Sequence, residues 1–91
     1  MRIIIVGGGK LGNSLAQRLV DEGHDITVVD SSDAVVQRGM DTLDALFIKG
    51  SGVSADILTE ADVQHADIVI AATAGDEVNM LACLTAKRLG A

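Results

Sequence analysis

Apolar residues fall into short bursts separated by longer stretches in which they recur every third or fourth position, and the two rhythms alternate four times along the chain. Arg2 to Val6 is a β-branched run that stops at Gly7-Gly8-Gly9, the pattern of a strand buried on both faces. From Lys10 to Glu22 the period changes: Gly12, Ala16, Leu19 and Val20 lie at helical spacing, with Asn13, Gln17, Arg18, Asp21 and Glu22 elsewhere and Gly23 as the stop. Ile26 to Val29 reads as a second strand closing on Asp30. Ser31-Ser32-Asp33 then supplies side-chain oxygens to cap a helix running to about Leu43, although Gly39 lowers its helix propensity.

A third strand, Ala45 to Lys49, leads through Gly50-Ser51-Gly52 into a short helical stretch with Ala55, Ile57, Leu58 and Ala61. Asp67 to Ala72 makes a fourth strand. After Thr73-Ala74-Gly75, the residues Val78, Leu81, Ala82, Thr85 and Leu89 form a stripe expected to face the core, and Asp76 and Glu77 complement the helix dipole in the first turn. Strands alternating with helices in this way predict an α/β fold, a Rossmann-like open parallel sheet with right-handed crossovers and helices on both faces.

Composition narrows the picture. The chain has 91 residues, 13 Asp+Glu against 7 Lys+Arg and a net charge of -6. It is 48% hydrophobic but 1% aromatic, and contains no proline. This describes one small acidic domain over residues 1–91, able to bury roughly two-thirds of its unfolded surface around a single core. Duplex nucleic acid and anionic membrane surfaces both call for a basic face, and none is encoded. The apolar stretches Ile3 to Val6 and Ile68 to Ala72 are far short of the ~18–20 residues that span a bilayer. The start Met1-Arg2-Ile3 has no signal-peptide cleavage region, so a soluble, intracellular protein without direct membrane insertion is expected. Cys83 is the only cysteine, which precludes a disulfide within the chain and suggests a small buried hydrophobe on a helix. His24 and His65 have no second ligand at metal spacing.

Gly7-Gly8-Gly9-Lys10-Leu11-Gly12 fits G-x-G-x-x-G, a string that is weak alone and stronger here because it follows a strand and opens a helix. The second strand of the unit ends in an acid 18 positions after the last glycine. Gly7 then permits the tight turn, Gly9 lets backbone approach a pyrophosphate, and Gly12 allows close packing of helix on strand. Free N–H groups at the helix start face the phosphates. Asp30 can accept from ribose hydroxyls and repels a 2′-phosphate by ~4 kcal/mol per charge pair at contact. Ser31 and Ser32 offer no arginine to offset that, which favours NAD(H) over NADP(H). Lys10 reaches toward a phosphate or is an ordinary solvated lysine. Ser51 and Thr73 fall at the carboxyl edge of the sheet where ligands of such folds lie, Thr73 next to the topological switch point. The plainer alternatives are that Asp30 only caps a helix and that the Thr73 hydroxyl only stabilises a turn.

The glycine motif, Asp30, the Gly50-Ser51-Gly52 turn, and above all Ala66-Asp67-Ile68-Val69-Ile70-Ala71-Ala72-Thr73 followed by Asp76-Glu77-Val78-Asn79-Met80 resemble the TrkA-type regulatory proteins of potassium uptake. The similarity runs from Met1 to Ala91 and concerns their nucleotide-binding RCK or KTN domain. It implies a cytoplasmic subunit that assembles into a homo-oligomeric ring beneath a potassium-translocating membrane protein, and couples nucleotide occupancy to gating. In such proteins NAD(H) and often ADP or ATP compete for one site as signals that are not turned over. Carried onto this chain, Gly7, Gly9, Lys10 and Gly12 would hold phosphates, Asp30 the ribose, Ser51 the adenosine side and Thr73 the far end of the ligand. Gly8, Leu11, Ser31 and Ala74 complete the candidate set, and Asp76, Glu77 and Asn79 would border the cleft. Family modules continue with further strands, a dimer-forming crossover helix and basic residues near the phosphates. The chain is accordingly expected to be truncated after the fourth strand and its helix.

Two other functions stay open on the residues. One is the cofactor half of an NAD-dependent dehydrogenase, for which neither histidine is predicted where the nicotinamide would lie. The other is a scaffold whose glycine turn binds nothing, at a cost of roughly 1 kcal/mol of backbone freedom per glycine.

Overall fold

Parallel pairing of four strands organises the computed structural model, which describes residues 1–91. The strands β1 (Arg2–Val6), β2 (Asp25–Asp30), β3 (Leu46–Lys49) and β4 (Ile68–Ala71) lie in the order β3-β2-β1-β4. Between and after them run α1 (Lys10–Asp21), α2 (Asp33–Thr42), α3 (Ala55–Glu60) and α4 (Asp76–Arg88). A single 3₁₀ turn, Val63–His65, interrupts the passage from α3 to β4. The sequence pattern contains no sign of it, because its entry residue Asp62 adopts a left-handed φ of 64° that local hydropathy does not encode.

Period-two alternation in the strands feeds two cores. Ile3, Ile5, Ile26, Val28 and Phe47 meet Ala16 of α1 and Val36 of α2 on one face. Ile4, Val6 and Val29 meet Leu58, Ala82 and Ala86, from α3 and α4, on the other. The reason is topological: the chain steps outward from β1 to β2 to β3, then returns across the sheet to β4, and crossovers of one hand running in opposite directions cover opposite faces. Central β1 is consequently buried along its apolar length, as its unbroken β-branched run requires.

The last helix corrects the sequence reading. Ala82 and Ala86 pack on the sheet, whereas Val78 and Leu81 are 42% and 53% exposed. The helix lies against the edge strand β4 through its small residues, which permit close approach; of the expected stripe Val78 and Leu81 turn outward, while Leu89 packs against the core. Cys83, next to this contact row, is exposed rather than buried. No helix is long and apolar enough to cross a membrane.

Candidate functional site

Because every α-helix follows a parallel strand, all four helix N-termini gather at the carboxyl edge of the sheet, and their local chemistry separates them. Ser32 caps α2 by accepting from the Val35 N–H, and Ser54 caps α3 by accepting from the Ile57 N–H. The first turn of α4 carries its own acids, Asp76 and Glu77. Only α1 starts at a residue, Gly9, that makes no side-chain cap bond, with no acidic residue in the first turn. Its positive dipole end is therefore available to an anion from outside.

The turn leading into α1 is sterically determined. Gly7 has φ +108°, and a Cβ there would lie 2.9 Å from the Ala72 carbonyl group and 3.0 Å from the Thr73 nitrogen. The turn after β1 thus rests directly on the turn after β4. At Gly12 a Cβ would fall 1.8 Å from the Gly7 carbonyl oxygen, whereas at Gly9 it would meet nothing within 4 Å. Two glycines serve the protein's own packing, and the third leaves open space at the helix start.

Asp30 joins this turn to the next one. One carboxylate oxygen accepts the Gly8 N–H at 2.8 Å and the other the Ser32 N–H at 2.8 Å. The side chain also lines a cleft of about 370 Å³ whose other walls come from Ser31, the Gly50–Gly52 turn, Thr73, Gly75 and Val78, over a floor of Val6 and Val29. Gly52 closes against that floor, since a Cβ would sit 2.2 Å from the Val6 side chain. An aliphatic floor with a carboxylate and three hydroxyl side chains around it suits a flat heterocycle joined to a sugar.

The structure thus brings Asp30, Ser31, Ser51 and Thr73 into one cleft, with Gly7 and Gly8 buried beside it. Lys10, Leu11 and Ala74 are exposed and do not line it, Leu11 being 63% exposed. The Thr73 hydroxyl is already bonded to Asn79 and Gly75, so the turn-stabilising role is filled. Sequence reasoning placed Asn79 at the border of the cleft and missed its work. Its amide oxygen accepts the Thr73 N–H at 3.0 Å, its nitrogen donates to the Thr73 carbonyl at 3.1 Å, and the β4–α4 turn is held to the first turns of α4. The signal was an amide six residues after a turn threonine, a spacing that requires the turn to be known first.

A smaller recess of about 170 Å³ lies at the opposite edge, among Arg2, Asp25, Glu60 and Asp62. Arg2 bonds Asp62 at 2.8 Å, and His65 Nδ1 lies 2.6 Å from the other Asp62 oxygen. The hydrogen bond with His65, aided by the charges of His65 and Arg2, holds the Asp62 carboxyl below the usual carboxylate range. His24 sits beside the chain's amino terminus, its Nδ1 3.2 Å from the Met1 nitrogen. No α-helix N-terminus opens on this edge, so it lacks the anion-attracting feature of the other.

Comparison with known proteins places these features in context. The model of the TrkA-N domain family matches residues 3–91. The Trk system potassium uptake protein TrkA homolog of Methanothermobacter thermautotrophicus is 39% identical over 84 residues, covering 92% of this chain and 39% of that protein. The Trk system potassium uptake protein TrkA of Haemophilus influenzae is 42% identical over 83 residues, 91% of this chain and 18% of its own length. This chain therefore spans well under half of either relative. Among solved structures, the NAD(P)-binding domain of an exopolyphosphatase-related protein from Archaeoglobus fulgidus superposes with a TM-score of 0.85 at 17% identity, over 97% of this chain and 65% of that one. The Shewanella denitrificans Kef CTD in AMP-bound form gives 0.82 at 19% identity, over 97% and 52%. These structural likenesses establish the Rossmann-like fold.

Proposed function

The chain belongs to the TrkA-N domain family, and from that premise we propose that it is the nucleotide-sensing module of a potassium uptake system. In this reading it binds NAD(H), with ADP or ATP as competing ligands, and passes occupancy to a potassium-translocating membrane subunit. The observation that carries the reading is the pairing of the open α1 N-terminus, unobstructed at Gly9, with the Asp30 carboxylate lining the adjacent cleft. The α1 amides would take the diphosphate. Asp30 would take the ribose hydroxyls, the Val6–Val29 floor would carry the adenine, and Ser51 and the Thr73 turn would bound the ligand on either side. The bound adenine nucleotide observed in the Kef domain supports this use of the fold.

The module would act without turnover. Both histidines lie at the amino edge, away from the cleft, and Asp30 is engaged by two amides. A ligand would shift the assembly only as far as it binds one arrangement more tightly than another, about 1.4 kcal/mol for each tenfold preference. The setting proposed is a cytoplasmic ring of such modules, peripheral to the membrane through the transporter; the names of the relatives support its link to potassium uptake.

Thermal unfolding in the presence of NADH, NADPH, ADP, ATP and AMP tests the proposal. At a hundredfold excess over Kd, NADH is expected to stabilise by about 2.7 kcal/mol, a rise in Tm of roughly 10 °C or more for a domain of this size. NADPH should give a clearly smaller shift. Absence of any shift across the series overturns the reading. Sustained NADH production from NAD and candidate hydroxy or amino acids would replace it with a dehydrogenase.

A further inference from the structure

We infer that Asp30 is a positioning residue for the glycine turn as well as a ribose ligand: its carboxylate holds the diphosphate-receiving backbone in shape before a ligand arrives. The inference rests on the nucleotide reading above and extends it. The two oxygens bridge the turns that follow β1 and β2, each accepting one amide at 2.8 Å, from Gly8 and from Ser32. Gly8 is buried, and a Cβ on it would lie 2.9 Å from Val35 of α2 and 3.2 Å from Val28 of β2. The turn is therefore held by side-chain packing on one side and by the carboxylate on the other.

Removing the carboxylate leaves a buried N–H without its acceptor, which a backbone in a tight turn relieves by moving toward water. The next two residues, Gly9 and Lys10, are the helix start that a diphosphate would contact, so any such movement displaces that contact. Each carboxylate oxygen has a second lone pair, so a vicinal diol can still be accepted while both amides stay bonded. One side chain would in this way join sugar recognition to phosphate recognition.

The consequence is specific: a ligand with no ribose diol should still feel a change at Asp30. Titration calorimetry with NADH and with 2′,3′-dideoxyadenosine diphosphate on the wild type, Asp30→Ala and Asp30→Asn reads it. The expected result is at least a tenfold loss of dideoxy-ADP affinity in Asp30→Ala. A smaller loss is expected in Asp30→Asn, which keeps one acceptor but turns a donor toward the other amide. In the ligand-free wild type, the Gly8 amide should exchange with solvent at least tenfold more slowly than that of Gly9, a measurement that needs no variant to fold. Unchanged dideoxy-ADP affinity in both variants, or a Gly8 amide as labile as Gly9, overturns the inference and leaves the nucleotide reading standing. Wild-type protein that binds neither ligand overturns both.

Discussion

Gly9 and Gly12 stand three residues apart in one motif and face opposite environments, so a single added methyl group should separate packing from binding. At Gly12 that methyl would meet the Gly7 carbonyl oxygen at 1.8 Å, a backbone atom with no room to retreat. Overpacking of this kind costs typically 1–3 kcal/mol, and Gly12→Ala is expected to lower Tm by several degrees in a thermal melt. At Gly9 there is open space and φ is -72°, which any residue adopts. Gly9→Val should therefore melt within a degree or two of wild type yet lose NADH binding in a fluorescence titration. Both glycines were legible as a spacing; which one is needed for packing and which leaves room beside the helix start required knowing what each Cβ would touch. Asp62 makes a different residue-scale case. Its carboxyl is held below the ordinary value of 3.8 by His65 and then Arg2, so it favours folding when ionised, above that value, and the contribution fades as pH falls through the lower folded-state value. Asp62→Asn, which tolerates the left-handed φ of 64°, should be less stable than wild type at neutral pH. The difference in urea midpoint should close as pH drops below about 4.

At the scale of elements, Gly39 shows how a propensity argument is outvoted. Alanine in place of a mid-helix glycine ordinarily gains ~1 kcal/mol, and on sequence alone Gly39 looks like a flaw in α2. In the fold it is buried, and a Cβ would sit 2.2 Å from Cε2 and 2.3 Å from Cζ of Phe47, the sole aromatic residue, itself 8% exposed in the core. The absence of a side chain is what lets β3 place that ring against α2. Gly39→Ala is thus expected to be net destabilising by about 1–3 kcal/mol despite its helix preference, a sign that equilibrium urea unfolding would read directly. The strand runs were legible because alternation and β-branching are local, and β1 to β4 appear within a residue or two of their expected bounds. The face of α4 was not, because Ala82 and Ala86 as the contact row depend on how closely the helix approaches an edge strand. Periodicity marks an apolar stripe, but it cannot say whether large or small residues within it touch the sheet. The Asn79 staple on the Thr73 turn escaped for a related reason, since it joins a helix to a turn whose geometry is itself a tertiary result.

For the whole molecule, net charge and local field point in opposite directions, and ionic strength can separate them. The protein carries -6 on a body of 31 × 25 × 20 Å. At about 0.01 M salt the screening length is near 30 Å, so the entire charge acts on an approaching anion; at about 0.15 M it is near 8 Å, and only groups around the cleft are felt. In the proposed reading the anion would be attracted by a set of oriented amides at one helix start, with the exposed Lys10 as the basic side chain in that first turn. Short-range dipoles of this kind lose less to added salt than the long-range repulsion does. Affinity for NADH, itself an anion, is accordingly expected to hold steady or rise as salt goes from about 0.01 to 0.15 M, measured by fluorescence titration at constant pH. A steep fall would mean that cations gathered around the phosphates dominate binding, as in a basic site. The amide-lined helix start would then no longer suffice to explain how so acidic a domain could bind a nucleotide.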